Sequence, residues 1–272
     1  TAASTGPGSQ PERLSLRSRK ILTGGFPMTH PLSNINASPC MLCPRKCGVD
    51  RSTSLGFCGV PERPRAARAA LHAWEEPCIS GTRGSGTVFF SGCTLKCCFC
   101  QNYPTSAEGL GKEITIEHLA EIFLDLQKQG AHNINLVTPG QWRPWIIAAL
   151  DIARAEGLRL PIVCNTGGYE TVESVEAWRG YIDIWLADLK YVSSSLSAEL
   201  SSAPDYFAQA RPAIEAMMAQ AAIRCSTARA SYRKASSCGI WPCPATSTTV
   251  LPSSTGWPHG TRPTPAASSP VS

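Results

Sequence analysis

GTVFFSGCTLKCCFCQNY, Gly86 to Tyr103, runs a strand pattern straight into a loop that carries four cysteines. Its first part, GTVFFSG, is a short apolar run that stops at Gly92, as a buried strand does. Three runs of the same kind follow: NINLVTPG at 133–140, LPIVCNTGG at 160–168 and YIDIWLADLK at 181–190. Helical patterns separate them. Thr115 to Gln129 places Ile116, Leu119, Phe123 and Leu126 on one face, with Thr115 as N-cap and Gly130 as stop. Pro144 opens PWIIAALDIARAE, which Gly157 closes; TVESVEAW ends before Gly180; RPAIEAMMAQ begins with Pro212 near N1. This βαβαβαβα alternation predicts an α/β fold with parallel strands, whose chemistry gathers at the carboxyl ends of the strands. The cysteine loop follows the first strand and lies at that end.

A chain of 272 residues, 43% hydrophobic, is enough for one sizeable core. Its net charge of +5 is mild. The Lys and Arg residues form no stripe, which argues against a nucleic-acid partner. No apolar run is long enough for a membrane span, and the N-terminus shows no signal-peptide core. Thirteen cysteines without an export signal read as metal ligands or reduced thiols in a reducing cytoplasm.

Spacing sorts the four loop cysteines. Cys93, Cys97 and Cys100 form C-x3-C-x2-C, whereas using Cys98 in place of Cys97 leaves one residue between the last two thiolates. Cys98 is therefore the spare. A structural zinc site wants four closed ligands, and this loop offers a compact three. Three thiolates on a 4Fe-4S cluster leave one iron open to a small molecule.

The phrase GCTLKCCFCQN, with Phe99 before the last ligand, resembles the signature of the radical S-adenosylmethionine superfamily. The resemblance runs from about Cys40 to Gln220 and is strongest to proteins described as pyruvate formate-lyase activating enzyme-like. It implies a partial (β/α) barrel and an oxidoreductase of activase type. In such enzymes S-adenosylmethionine chelates the open iron and is reductively cleaved, and the deoxyadenosyl radical abstracts hydrogen from a substrate. Installing a glycyl radical on a partner enzyme is a further implication, as is an electron donor such as flavodoxin or ferredoxin. Asn165, Asp188 and Lys190 match family positions near cofactor and substrate. The plainer reading of Asp188 and Lys190 is an ion pair on alternate residues of a strand. One departure stands out: the Gly-Gly-Glu expected after the second strand, which binds the methionine amino group, is replaced by TPGQW at 138–142. His118, His132, Trp142 and Trp145 read as surface or packing residues. The competing account of the whole chain is a non-catalytic metal-binding protein, either a zinc module or an inactive relative.

A second cysteine set, Cys40, Cys43, Cys47 and Cys58, lies in CMLCPRKCGVDRSTSLGFCG. Its spacing suits zinc or a second cluster and leaves the choice between them open. Cys78, Cys164, Cys225, Cys238 and Cys243 show no partner pattern.

The expected organisation is a disordered or non-native leader at 1–38, a cysteine-rich extension at 39–84, the partial barrel at 85–222 and a low-complexity tail at 223–272. Four βα units fall short of the family's six-stranded barrel. Read one base out of frame, with a permitted choice of codons, the stretch from Tyr232 to Pro258 becomes PQGVIVRHLALPGHVDDSAAVLDWLA, a strand, a Pro-Gly turn and an amphipathic helix. A frameshift between about Ala221 and Tyr232 accounts for this, and it makes the tail disordered and the barrel incomplete at its C-terminal side.

Overall fold

The structure is a computed structural model and describes residues 38–228. The leader 1–37 and the tail from 229 onward, with the frame-shifted segment, lie outside the described residues. In chain order the elements are β1 (Arg65–His72), α1 (Pro77–Ser80), β2 (Ser85–Phe90), α2 (Tyr103–Ser106), β3 (Lys112–Glu113), α3 (Ile116–Lys128), β4 (Ile134–Val137), α4 (Arg143–Ala155), β5 (Ile162–Thr166), α5 (Val172–Glu176), β6 (Ile184–Ala187), α6 (Ser194–Ser201) and α7 (Tyr206–Ala228).

All four strands expected from the apolar runs are present and mutually parallel. They are β2, β4, β5 and β6, neighbours in that order within a six-stranded open sheet, β3-β1-β2-β4-β5-β6. Two strands were not anticipated. β1, RAARAALH, is built from alanine and arginine, which have little intrinsic strand preference. It is made a strand by antiparallel pairing with β2 from Ala66↔Phe90 to His72↔Ser85. The two-residue β3 then pairs with the start of β1. The segment 65–72, placed by sequence in the cysteine-rich extension, is thus part of the sheet.

Register separates the two faces of the sheet, because residues paired across parallel strands point the same way. Val88, Leu136, Cys164 and Trp185 share one row and are all buried. Phe89, Val137, Asn165 and Leu186 share the next row and are all half-buried. Helices cover the first face. α3 buries Ile116, Leu119, Phe123 and Leu126, and α4 buries Trp145, Ile146, Ala149 and Leu150. Gly86 lies close beneath α3, where an added Cβ would come within 3.2 Å of the Leu126 Cβ and 2.8 Å of the Asn133 carbonyl oxygen.

The N-cap expected at Thr115 is present, and α5 has a cap of the same kind that was not anticipated. The Thr115 hydroxyl accepts the His118 N–H, and the Thr171 hydroxyl accepts the Ser174 N–H. The exception is Pro212, expected near N1 but found inside α7, which begins at Tyr206. Proline there forfeits one backbone hydrogen bond, a cost of roughly 3 kcal/mol in a helix interior. Burial of Tyr206, Ala210, Ala213 and Met217 along one face holds the helix through it. α7 also runs on to Ala228, past the boundary expected at 223. Among the described residues no helix is long and apolar enough to cross a membrane.

Candidate iron–sulfur site

β2 delivers the chain to Gly92, which has φ +79 and backs onto the cysteine-rich extension. A Cβ at Gly92 would stand 2.7 Å from the Cys58 carbonyl oxygen and 2.1 Å from a Val60 methyl, so only glycine fits. The carbonyls just before the loop are then caught from β4's side. Gln141 donates its amide hydrogens to the oxygens of Ser91, Gly92 and Thr138, and the Trp142 indole N–H donates to Ser91 at 2.9 Å. TPGQW, the departure from the activase pattern, therefore serves here to fix the start of the cysteine loop. Thr138 itself takes φ +55, unusual for a β-branched residue.

The loop is anchored on its far side by α6. The N–H groups of Lys96 and Cys98 donate to the carbonyls of Ser201 and Leu200. Each of the three spaced thiols also has a hydrogen-bonding neighbour. Cys93 Sγ accepts the Leu95 N–H at 3.4 Å, Cys97 Sγ accepts the Ser201 hydroxyl at 2.9 Å, and Cys100 Sγ lies 3.2 Å from the Ser106 hydroxyl. Cys98 is exposed. Burial pushes the Cys93 thiol up to about 12, with Cys97 and Cys100 adding to the rise and the Leu95 N–H and Lys96 opposing it. Burial also raises Cys97, against the Ser201 hydrogen bond and the Lys190 charge. Buried thiols of this kind give up their protons to a metal rather than to water.

Lys190 and Asp188 lie just beyond β6 and form the ion pair of the plainer reading. Burial works to lower the Lys190 pKa, but Asp188 and the sulfurs of Cys97 and Cys93 raise it overall. The ammonium is thus within electrostatic reach of the cysteine loop. The Tyr206 hydroxyl holds this corner: it lies 2.8 Å from the Gly167 oxygen and 2.9 Å from the Asp188 oxygen, and it accepts the Lys190 N–H. Asn165 stands on the open face of the sheet, where its amide donates at 3.3 Å to a Glu75 carboxylate oxygen that also accepts from Asn135. Asn165 therefore belongs to a polar group with Glu75 rather than to the Lys190 corner.

The second set, Cys40, Cys43, Cys47 and Cys58, is tied to the first by Arg45, whose Nε donates to the Thr94 oxygen at 2.9 Å. Burial pushes Cys43 up to about 12 and raises Cys58. None of the ten cysteines from Cys40 to Cys164 is in a disulfide. Among the described residues no three His, Cys, Asp or Glu side chains form a site for one metal ion.

Residues 80–197 match the family model of the 4Fe-4S single cluster domain. The matched segment contains Cys93, Cys97 and Cys100 together with Asn165, Asp188 and Lys190, and it excludes the 40–58 set. The match supports an iron–sulfur cofactor for this chain. The chain is also 30% identical over 175 residues to an uncharacterized protein of Methanocaldococcus jannaschii, an alignment covering 62% of this chain and 50% of that protein. The chain thus spans about half the length of the curated relative it matches.

Sequence reasoning missed Ser201, Gln141, Arg45 and Tyr206, all of which hold the cysteine loop or its neighbours. Ser201 lies 104 residues from Cys97, and no local pattern announces such a pair. His118 pairs with Glu121 at the surface, and Trp142 and Trp145 pack edge to face in the interior, as their patterns implied.

Proposed function

We propose that this chain is a radical S-adenosylmethionine enzyme of activase type, with Cys93, Cys97 and Cys100 holding a 4Fe-4S cluster at the carboxyl end of β2. The observation that carries this reading is the difference between the loop thiols. The three at C-x3-C-x2-C spacing each have a hydrogen-bonding partner, Leu95, Ser201 or Ser106, while Cys98 is exposed. When bound, the cluster supplies the electron that cleaves the sulfur–C5′ bond of S-adenosylmethionine.

The chain's own residues position and compensate. Gln141 and Trp142 fix the loop entrance, α6 fixes its middle, and Lys190 places a positive charge beside thiolates that become negative on metal binding. Asn165, with Glu75, lies on the sheet face that α3 and α4 do not cover, near the carboxyl end of β5, where cofactor and substrate would bind in an α/β fold. An external one-electron donor such as flavodoxin or ferredoxin belongs to this reading. So does a protein substrate, on which a glycyl radical would be formed.

The test is anaerobic reconstitution with iron and sulfide, reduction with dithionite, and assay for 5′-deoxyadenosine and methionine. Alanine at Cys93, Cys97 or Cys100 should abolish both products, and Cys98→Ala should spare them. A loaded cluster that yields neither product would overturn the reading in favour of a non-catalytic metal-binding protein.

A further inference from the structure

Three of the four thiols of the 40–58 segment, Cys40, Cys47 and Cys58, lie around a positive charge that lacks a carboxylate partner. Arg51 is only 5% exposed. Its guanidinium donates to the Pro61 oxygen through Nε and Nη2 and to the Gln141 oxygen through Nη1, and it lies 4.6 and 4.7 Å from the Trp142 and Trp145 ring centres. Among the described residues no Asp or Glu forms an ion pair with it. The ionisable groups acting on it are Cys58, Cys40 and Cys47, and all three act to raise its pKa against burial. A buried cation surrounded by carbonyls, indoles and neutral thiols is uncompensated. Metal-bound thiolates would supply the missing negative charge.

The backbone around these thiols repeats the arrangement of the first site. At Cys93 the N–H two residues on, from Leu95, points to the sulfur. At Cys43 and Cys58 the N–H two residues on, from Arg45 and Val60, likewise acts to lower the thiol pKa against the burial that raises it. Cys47 Sγ packs on Gly56, where an added Cβ would stand 2.7 Å away, so the fourth thiol closes against the chain that carries Cys58. A further donor, Arg45 Nη2, is buried without a partner in the same loop.

We propose that Cys40, Cys43, Cys47 and Cys58 hold a second iron–sulfur cluster, beside the first and compensated by the buried Arg51. Four thiolate ligands close this centre, so unlike the first it has no iron left open for a small molecule. Zinc on the same four thiolates is the competing outcome, which the test separates by its sulfide content. The two centres share a wall. Cys58 touches Gly92, the residue before Cys93, and Arg45 bonds to Thr94, the residue after it.

The test is analysis of iron, acid-labile sulfide and zinc in the full chain after anaerobic reconstitution, with no substitution needed. Two four-iron clusters give about eight irons and eight sulfides per chain. The triple variant C93A/C97A/C100A should keep about half of each, with a spectrum indifferent to S-adenosylmethionine, and adding Cys40→Ala and Cys58→Ala should remove the rest. Four irons or fewer in the unsubstituted chain, or stoichiometric zinc without sulfide in the triple variant, overturns the proposal. Failure of the enzymatic reading looks different: about eight irons are bound and no S-adenosylmethionine is cleaved.

Discussion

The Ser201 hydroxyl donates to the Cys97 sulfur at 2.9 Å, and the Tyr191 hydroxyl lies 2.7 Å from the same serine oxygen. The end of α6 therefore reaches a ligand of the proposed cluster through a two-step hydrogen-bond chain. Hydrogen bonds to cluster sulfurs stabilise the reduced, more negative state and raise the reduction potential. Ser201→Ala should keep the cluster and shift its midpoint potential to a more negative value. A redox titration followed by electron paramagnetic resonance checks this, and an unchanged potential would show that the contact is only structural.

Tyr206 is a second anchor from outside the matched segment. Its hydroxyl serves the Gly167 and Asp188 carbonyls and the Lys190 N–H together, all between 2.8 and 2.9 Å. Tyr206→Phe leaves these partly buried groups unpaired and should cost about 1–3 kcal/mol in urea unfolding. Hydrogen exchange at the Lys190 amide should accelerate in the same variant. Unchanged protection of that amide would mean that the loop after β6 is held by something else.

Glu170 gives a pH signature. It is fully enclosed, accepts from the hydroxyls of Thr166 and Ser174, and its pKa is raised by burial against the opposing pull of Ser174, Arg143 and Thr166. A carboxyl whose folded pKa lies above its unfolded value of 4.5 keeps its proton in the native state after the unfolded chain has lost it. Native stability from this group is therefore full below the unfolded value and falls as pH rises through the folded one. Glu170→Gln cannot ionise. The wild type should lose ground against the variant as pH rises above the unfolded value of 4.5, measured by urea unfolding. A stability difference that does not vary with pH would contradict the raised pKa.

What could be read from the sequence followed from local signals. Four parallel strands, Thr115 as a cap, and the spacing that separates Cys98 from its neighbours each depend on residues a few positions apart. β1 escaped because alanine and arginine carry no strand signal, and its conformation comes from pairing with β2. Ser201, Arg45 and Gln141 escaped because their partners are 104, 49 and 49 residues away. The early start of α7 escaped because Pro212 reads as a boundary when the burial of Tyr206 and Ala210 is not known.

β6 carries the last prediction. Among the described residues it pairs with β5 alone, at Val163↔Ile184 through Thr166↔Ala187, and is an edge of the sheet. A parallel sheet normally buries both faces and protects its edges, and an open edge strand invites pairing with another chain. With a permitted choice of codons, Tyr232 to Pro258 can be read one base out of frame as a β-branched run, GVIVRHLAL, followed by a turn and an amphipathic helix, the parts of one further βα unit. A chain carrying that frame should add a strand beside β6, aggregate less, and unfold at higher urea than the present sequence. S-adenosylmethionine cleavage should rise with it, since the added unit would extend the wall around the open face. The β6 amides Ile184 to Ala187 should become more protected from hydrogen exchange. Equal solubility and equal protection of β6 in the two chains would rule the frameshift out as the reason for the open edge.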